Sequence, residues 1–223
     1  MLALLLAASL AHAQSADELV ARMKSAWDRL SSYRTGQLIQ ERVRGELGPE
    51  QRVRVAFRKP WEIQLEWETV HPGRKVYWSK ARHDGEVQVY PGGLTGKTLG
   101  VLSFSIDNGL LKRDTNYTPA DGGFGYLVQS IAKAAQPGAA NRPTAGTPEA
   151  VTVDGRAAWS VALTDITHPR YVRAELVLSK DTGLPVRFTS WGADGQVAER
   201  YAWFDTEIDV PLVDAVDFSV GYR

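Results

Sequence analysis

Apolar residues recur at helical spacing near the start of the chain and at every second position along most of the remainder. The helical pattern follows Ser15 and Glu18, which match a capping box, where each residue's side chain bonds the free backbone donor of the other. A helix with one apolar face is therefore predicted to begin after Ser15 and to end at Ser31. Its apolar positions are Leu19, Met23, Ala26, Trp27 and Leu30.

From Tyr33 onward the apolar period changes to two, which is the side-chain period of a β-strand. The clearest predicted strand alternates apolar with polar residues: Trp61, Ile63, Leu65 and Trp67 with Glu62, Gln64, Glu66 and Glu68. After short turns, the same alternation places Val76 with Trp78, and Val87 with Val89. One face of the predicted sheet is thus apolar, and the charged face is expected to be solvated.

A second meander is predicted in the last third of the chain, with strands near 150–153, 157–163, 171–178, 185–191 and 196–204. Between the meanders, Thr118 and Pro119 predict the start of a second helix, whose apolar stripe runs from Phe124 to Ala135. Residues 136–148 contain three prolines and two glycines and predict a flexible loop. Residues 91–119 are less regular, with a loop at Pro91 and a predicted strand from Leu99 to Phe104.

Together these elements predict a mainly β protein of the α+β class. A sheet of about nine to eleven antiparallel strands does not stay flat, because strand twist curls it. Two or more amphipathic helices are then expected to cover its apolar face, like the lid of a container. Residues 14–223 are predicted to form this single domain.

The chain begins with an apolar run, Met1 to Leu10, that is too short to span a bilayer. The small-x-small pattern of Ala11-His12-Ala13 follows, so residues 1–13 are predicted to be a signal peptide that is cleaved after Ala13. No cysteine occurs anywhere in the chain, which excludes disulfides, thiolate chemistry and a lipid anchor at the cleavage site. The mature protein is expected to be exported, soluble and periplasmic.

Charge and motifs limit the chemistry. The 26 Lys and Arg residues balance 26 Asp and Glu residues, which argues against a nucleic-acid partner. His71, His83 and His168 are scattered and lack metal-ligand spacing, and neither a Gly-x-Ser-x-Gly elbow nor a phosphate loop is present. No enzyme activity, cofactor or metal is therefore predicted.

The apolar face of the sheet is the candidate site. Alternation shows which side of a strand is apolar, and it leaves open whether that side is packed shut as core or encloses a ligand. The predicted ligand-binding residues are Trp61, Ile63, Leu65, Trp67, Val76, Trp78, Val87, Val89, Trp159 and Leu176.

Two short motifs resemble the LolA-like superfamily of periplasmic lipoprotein carriers. They are Phe57-Arg-Lys-Pro60 followed by Ile63-x-Leu-x-Trp67, and His83-Asp-Gly85 followed by Val87-x-Val-x-Pro91. The chain is also similar, over about residues 17–220, to an uncharacterised branch of that superfamily known as a domain of unknown function. This closer resemblance rests on Gln40 to Pro49, on Asp84-Gly85 with Pro91 to Leu94, and on Leu184 to Arg187.

The resemblance implies a LolA/LolB-like half-barrel that is covered by helices and holds lipoprotein acyl chains. In the carriers an Arg before the proline holds the lid, whereas this chain has Lys59, which cannot form the forked contact of Arg. The branch usually has a basic-His-Pro run where this chain has Asn116 to Pro119. The candidate lid-contact residues are Arg58, Lys59, Phe124 and Leu127.

Three functions remain open at this stage. The first is a carrier whose partners are a lipid or acylated lipoprotein, with at most transient membrane contact. The second is an envelope sensor or adaptor that binds a protein partner through residues 91–119 and 136–148. The third is a hydrolase that acts on an envelope polymer.

Overall fold

The first element of the fold is a capped helix, as predicted. The computed structural model describes residues 14–221, so the predicted signal peptide lies outside the described residues. Helix α1 spans Ala16–Arg29. The Ser15 backbone N–H donates to Glu18 Oε2 at 2.7 Å, and the Glu18 N–H donates to Ser15 Oγ at 3.2 Å, which confirms the capping box.

The strands of the first meander follow α1. They are β1 (Ser32–Val43), β2 (Glu46–Leu47), β3 (Gln51–Arg58), β4 (Glu62–Trp67), β5 (Lys75–Ser79), β6 (Val87–Tyr90) and β7 (Leu102–Phe104). The strands of the second meander are β8 (Thr144–Ala145), β9 (Glu149–Val153), β10 (Arg156–Thr164), β11 (Arg173–Ser179), β12 (Pro185–Trp191) and β13 (Val197–Ile208).

All thirteen strands belong to one open antiparallel sheet. Its order is β7-β6-β5-β4-β3-β1-β13-β12-β11-β10-β8, with β2 paired to β1 and β9 paired to β10. Pairing of β1 with β13 joins the two meanders, for example at Leu38 opposite Ala202. Since β2 and β8 have only two residues each, the eleven longer strands agree with the predicted count.

The remaining helices are α2 (Gly93–Leu99), α3 (Gly125–Ala134) and α4 (Asp214–Asp217). The helix predicted to start at Thr118 corresponds to α3, which begins later than predicted. Thr118 caps only a 3₁₀ turn, Pro119–Asp121. Gly123 then has a φ of +68°, which ends that turn before α3 starts. The segment 93–99, predicted to be irregular, is helical.

An aromatic cluster packs α1 and the start of α3 onto the sheet. The ring of Trp27 lies 5.2 Å from that of Phe57 and 5.9 Å from that of Phe124, and Tyr33 stacks on Phe124 at 4.1 Å. A Cβ atom on Gly125 would lie 2.5 Å from the Trp27 ring, so the close approach of the two helices requires glycine there. The helices therefore cover one part of the apolar face and leave the rest to loops.

The outer face of β4 is buried at Glu62 and Gln64, contrary to the prediction, and partly exposed at Glu66. Glu62 and Gln64 are only 6% and 5% exposed. The Tyr77 hydroxyl donates to Glu62 Oε1 at 2.6 Å, and Arg58 Nε donates to Glu62 Oε2 at 2.9 Å. The segment containing α4 covers this face, and its Phe218 is 7% exposed. Burial comes from chain that is distant in sequence, which alternation along β4 cannot reveal.

None of the helices within residues 14–221 is long and apolar enough to cross a membrane.

Candidate ligand-binding cavity

A cavity of about 1060 Å³ opens between the inner face of the sheet, α3 and residues 110–123. Its volume is at the upper end of the range of about 300–1,000 Å³ for pockets that enclose small ligands. The apolar side chains of its wall come from the sheet, from α3 and from the loop: Ile39, Leu65, Trp67, Val76, Val89, Phe188 and Trp203; Leu127 and Ile131; and Leu111. The apolar face is thus only partly filled by side chains.

The predicted site residues divide into two groups in the structure. Those that line this cavity are Leu65, Trp67, Val76, Val89 and, among the lid candidates, Leu127. Ile63, Val87 and Phe124 are instead fully buried at 0% exposure. Leu176 borders a separate cavity of about 360 Å³ beneath α1.

The other predicted tryptophans make local contacts away from the large cavity. Trp61 Nε1 donates to the Ala120 carbonyl at 2.8 Å, and Trp78 Nε1 donates to the Gly85 carbonyl at 3.0 Å. Trp159 packs under the ammonium group of Lys180, which lies 3.8 Å from the centre of its ring. The alternating pattern predicted which face of the sheet is apolar, but it did not distinguish these three tryptophans from Trp67, which lines the cavity.

The two basic lid candidates point in different directions. Lys59 Nζ donates to the backbone carbonyls of Trp27 at 2.6 Å and Asp28 at 2.9 Å, both at the C-terminal end of α1. A cation is favoured there because it bonds the unpaired carbonyls of the last turn, although desolvation by burial lowers the pKa of this ammonium group. Arg58 faces the outer side of the sheet and binds Glu62 and Asp214. Lys59 therefore bonds the end of α1 through a single ammonium group, and not through the forked guanidinium of an arginine.

Two buried carboxylates in the cavity wall were not identified from the sequence. Glu41 and Glu199 lie directly opposite each other on β1 and β13, and they are 7% and 0% exposed. Glu199 accepts from Arg170 Nε at 2.7 Å and from the Tyr117 hydroxyl at 2.9 Å. Glu41 accepts from the Tyr201 hydroxyl at 2.8 Å. These donors satisfy the two carboxylates within the wall.

The same pair of carboxylates fixes the loop that closes the cavity. Glu41 Oε2 accepts from the Asn116 backbone N–H at 2.6 Å and from Thr115 Oγ1 at 2.9 Å. Burial raises the pKa of Glu199, and Arg170 opposes that shift. Two segments meet here, 40–49, which carries the family resemblance, and 116–119, which departs from it: the Asn116 N–H donates to Glu41, and Asn116 Nδ2 donates to the Arg42 carbonyl at 3.1 Å.

Three polar atoms of the cavity wall have no hydrogen-bond partner among residues 14–221. They are Gln37 Oε1, Arg74 Nε and Trp203 Nε1, and each is buried. Leaving a buried polar group unsatisfied costs about 1–3 kcal/mol. The wall therefore combines a mainly apolar surface with a few polar groups that a ligand could satisfy.

The chain is similar in fold to several solved structures. MucB is 17% identical, with a TM-score of 0.55; the match covers 91% of this chain and 62% of MucB. An uncharacterised conserved protein from Thermus thermophilus is 14% identical, with a TM-score of 0.55 and coverage of 92% and 94%. The Mycobacterium tuberculosis lipoprotein LppX is 13% identical, with a TM-score of 0.50 and coverage of 89% and 99%.

These identities are low, so the similarity concerns the fold. MucB has also been solved in complex with MucA from Pseudomonas aeruginosa. The chain spans about three fifths of MucB's length. The open antiparallel sheet covered by few helices confirms the predicted half-barrel fold.

Sequence comparison gives the family. No curated protein sequence matches the chain. A family profile described as "Protein of unknown function (DUF1571)" matches residues 30–221, which agrees with the predicted uncharacterised branch of the LolA-like superfamily. The chain belongs to the DUF1571 family.

Proposed function

We propose that this protein is a periplasmic carrier or binding protein that holds the acyl chains of a lipid or lipoprotein without catalysing a reaction. The observation that carries the proposal is the cavity of about 1060 Å³ with its mainly apolar wall. Each methylene group that leaves water for such a wall contributes about 0.8 kcal/mol to binding. An acyl chain is the ligand that gains most from this surface.

The location and the non-catalytic role have separate support. Export to the periplasm is supported by the predicted signal peptide at residues 1–13 and by the resemblance to LolA-like carriers. The absence of catalysis is supported by the arrangement of Glu41 and Glu199, which are held by Tyr, Thr and Arg side chains. Held in this way, the two carboxylates tie the loop around Thr115 and Tyr117 to the sheet, which is a structural role.

Native mass spectrometry tests the proposal. The protein would be secreted into the periplasm of a Gram-negative host, purified without detergent, and measured before and after organic extraction. We expect an excess mass equal to a phospholipid or an acylated peptide, which extraction removes. A clean protein mass, with no uptake from phospholipid vesicles offered afterwards, would contradict the proposal.

A second candidate function, an envelope sensor or adaptor, is favoured by a different surface. Leu94 and Leu99 are 82% and 55% exposed, and both lie on α2, within the segment between β6 and α3. Exposed apolar residues are typical of a protein-binding surface, and MucB, which shares the fold, has been solved with MucA. In the same experiment a stoichiometric polypeptide, released by Leu94→Ser with Leu99→Ser and retained in wild type, would favour this role.

A further inference from the structure

One partly buried arginine in the cavity wall, Arg74, has no ion pair among residues 14–221. Arg74 lies just before β5, and the turn around it is fixed by backbone hydrogen bonds: its N–H donates to the His71 carbonyl at 3.0 Å, and its carbonyl accepts from the Trp67 N–H at 2.9 Å. Its guanidinium lies over the Trp67 ring, 5.7 Å from the ring centre. The charged group is therefore held at the wall, against the ring of Trp67.

Other partly buried arginines of this protein are paired. Arg34 binds Asp217, Arg58 binds Glu62, and Arg170 binds Glu199. Within residues 14–221, Arg74 forms no such ion pair, and its Nε is buried without a hydrogen-bond partner. A charged donor that is partly desolvated and unpaired is costly, and an oxyanion placed against it would recover that cost.

The exposed charged residues of the wall are of both signs, so the preference for an anion at this point comes from the partly buried Arg74 itself. Arg44 and Arg113 also border the cavity, as do the acidic residues Glu46 and Asp114. Asp114 is near enough to act on Arg74, but burial has the larger effect and lowers the pKa of the guanidinium. Burial likewise lowers the pKa of His71, which keeps that imidazole neutral at pH 7.

The deeper carboxylates of the wall are already engaged. Glu41 and Glu199 accept hydrogen bonds from Tyr201, Tyr117 and Arg170. Asp121 accepts from Thr118 Oγ1 at 2.8 Å. Among the charged groups of the wall that are at least partly buried, Arg74 is therefore the one without an ion pair or a side-chain hydrogen bond within residues 14–221, and the Trp67 ring supplies apolar surface beside it.

We propose that Arg74 binds the anionic headgroup of an amphiphile whose acyl chain lies in the cavity. The headgroup chemistry is that of an oxyanion, a phosphate or a carboxylate, because the guanidinium fork binds two oxygen atoms of such a group. This inference rests on the proposed function and specifies the class of ligand that the cavity takes.

The test uses two probes that differ only in the phosphate: 1-palmitoyl lysophosphatidic acid and monopalmitoylglycerol. Both are titrated into the purified protein by calorimetry, below their micelle-forming concentrations. Wild type is expected to bind the phosphate probe at least about tenfold more tightly, which corresponds to about 1.4 kcal/mol. Arg74→Gln is expected to remove this preference while changing the affinity for monopalmitoylglycerol less than about twofold, and Arg74→Lys is expected to keep part of the preference because it keeps the charge.

Arg200→Gln is the matched control, because Arg200 is exposed on β13 and does not border the cavity. This variant is expected to retain the full preference. Inorganic phosphate alone is expected to produce no binding heat at the concentration that saturates the lipid probe. Binding of phosphate alone with equal affinity would contradict an amphiphile.

The possible failures are distinguishable. If neither palmitoyl probe binds, both the proposed function and this inference are overturned. If both probes bind wild type equally, or if Arg74→Gln retains the preference, the inference fails and the carrier function stands. If Arg74→Gln does not fold, Arg74→Lys decides: an unchanged or partly reduced preference supports the role of the charge, and complete loss in a folded protein contradicts it.

Discussion

Replacing Trp67 and Trp78 by alanine, one at a time, separates the cavity wall from the packed part of the same face. The two tryptophans lie on the neighbouring strands β4 and β5 and are each partly buried against the core. Each indole N–H donates one hydrogen bond, from Trp67 to Gln51 Oε1 at 2.7 Å and from Trp78 to the Gly85 carbonyl at 3.0 Å. Of the two, Trp67 borders the cavity.

The expected loss of stability is similar for both variants. Removing a fully buried aromatic side chain costs about 3–5 kcal/mol, and these side chains are only partly buried. Each variant also loses one hydrogen bond worth about 0.5–1.5 kcal/mol. We expect the free energy of unfolding to fall by about 2 kcal/mol in Trp67→Ala and in Trp78→Ala.

The expected loss of binding differs between the two variants. An aromatic side chain buries about 150–250 Å², and if about a third of that area faces an acyl chain, at about 25 cal/mol per Å², the loss is roughly 1.5 kcal/mol. This is about a tenfold weaker affinity for Trp67→Ala. Trp78→Ala is expected to bind as wild type does, within about twofold.

Urea denaturation measures the free energy of unfolding, and calorimetric titration with monopalmitoylglycerol measures the affinity. The uncharged probe is used because Trp67 also contacts Arg74, whose effect on an anionic headgroup would otherwise be mixed with that of the wall. Equal weakening of binding by both substitutions would refute the assignment of the wall. So would unchanged binding in Trp67→Ala.

Three further predictions concern stability. Gly123→Ala should destabilise the protein by about 1–3 kcal/mol more than Gly138→Ala. Both positions have a positive φ, but only a Cβ at position 123 would collide with the Tyr33 hydroxyl. Thermal melting measures the difference, and equal effects would contradict the packing described for the start of α3. Lys59→Met should speed hydrogen exchange at the end of α1 and lower the free energy of unfolding by about 1–2 kcal/mol, because it removes two hydrogen bonds to α1. Lys24→Met, which removes an exposed ion pair on the same helix, should lower it by less than about 1 kcal/mol. No difference between the two variants would argue against a role of Lys59 in holding α1. Burial lowers the pKa of His168 to about 4, so as the pH falls from 6.5 towards 4 the unfolded chain takes up a proton that the folded protein does not. Urea titrations should show that wild type loses about 1 kcal/mol more stability than His168→Gln between pH 7 and 4.5, a value reduced because the side chain is partly exposed. Equal losses in the two proteins would contradict the lowered pKa.

Alternation predicted the faces of the sheet well and the cavity less well. On β4 the apolar side chains share the inner face, as expected from a period of two. Ile63 is nevertheless covered, because a Cβ on Gly122 would lie 2.9 Å from its Cδ1 atom, whereas Trp67 meets the cavity. Which residue is covered depends on where the loop before α3 crosses the sheet. That position is set by tertiary packing, which the pattern along one strand does not contain.

The outer face and the polar part of the wall were missed for the same reason. Glu62 is buried by the segment around Phe218, which follows it by most of the chain. Glu41 and Glu199 become neighbours only through the register of β1 with β13. Local patterns cannot give such long-range pairings. Gln40 to Pro49 carried the family resemblance and Asn116 to Pro119 departed from it, but neither observation predicted that the two segments are in contact.

The second helix shows where a local signal was correct and still misplaced the element. Thr118 is an N-cap followed by a proline, as the Thr-Pro pair predicted, and its N–H donates to Asp121 Oδ2 at 2.9 Å. The turn that Thr118 caps stops at once, because Gly123 takes a positive φ and lies against Tyr33. The positive φ of Gly123 therefore sets the start of the second helix, which begins at Gly125.

Photo-crosslinking tests the central claim, that an acyl chain occupies the cavity. Palmitic acid carrying a diazirine near its terminal methyl group would be bound, irradiated, and the modified residues mapped by peptide mass spectrometry. We expect modification of wall residues such as Leu127, Ile131 and Tyr201, and loss of that labelling when unlabelled palmitate competes. Labelling confined to exposed residues outside the cavity, such as Leu94 and Leu99, or labelling that palmitate does not displace, would contradict occupancy of the cavity.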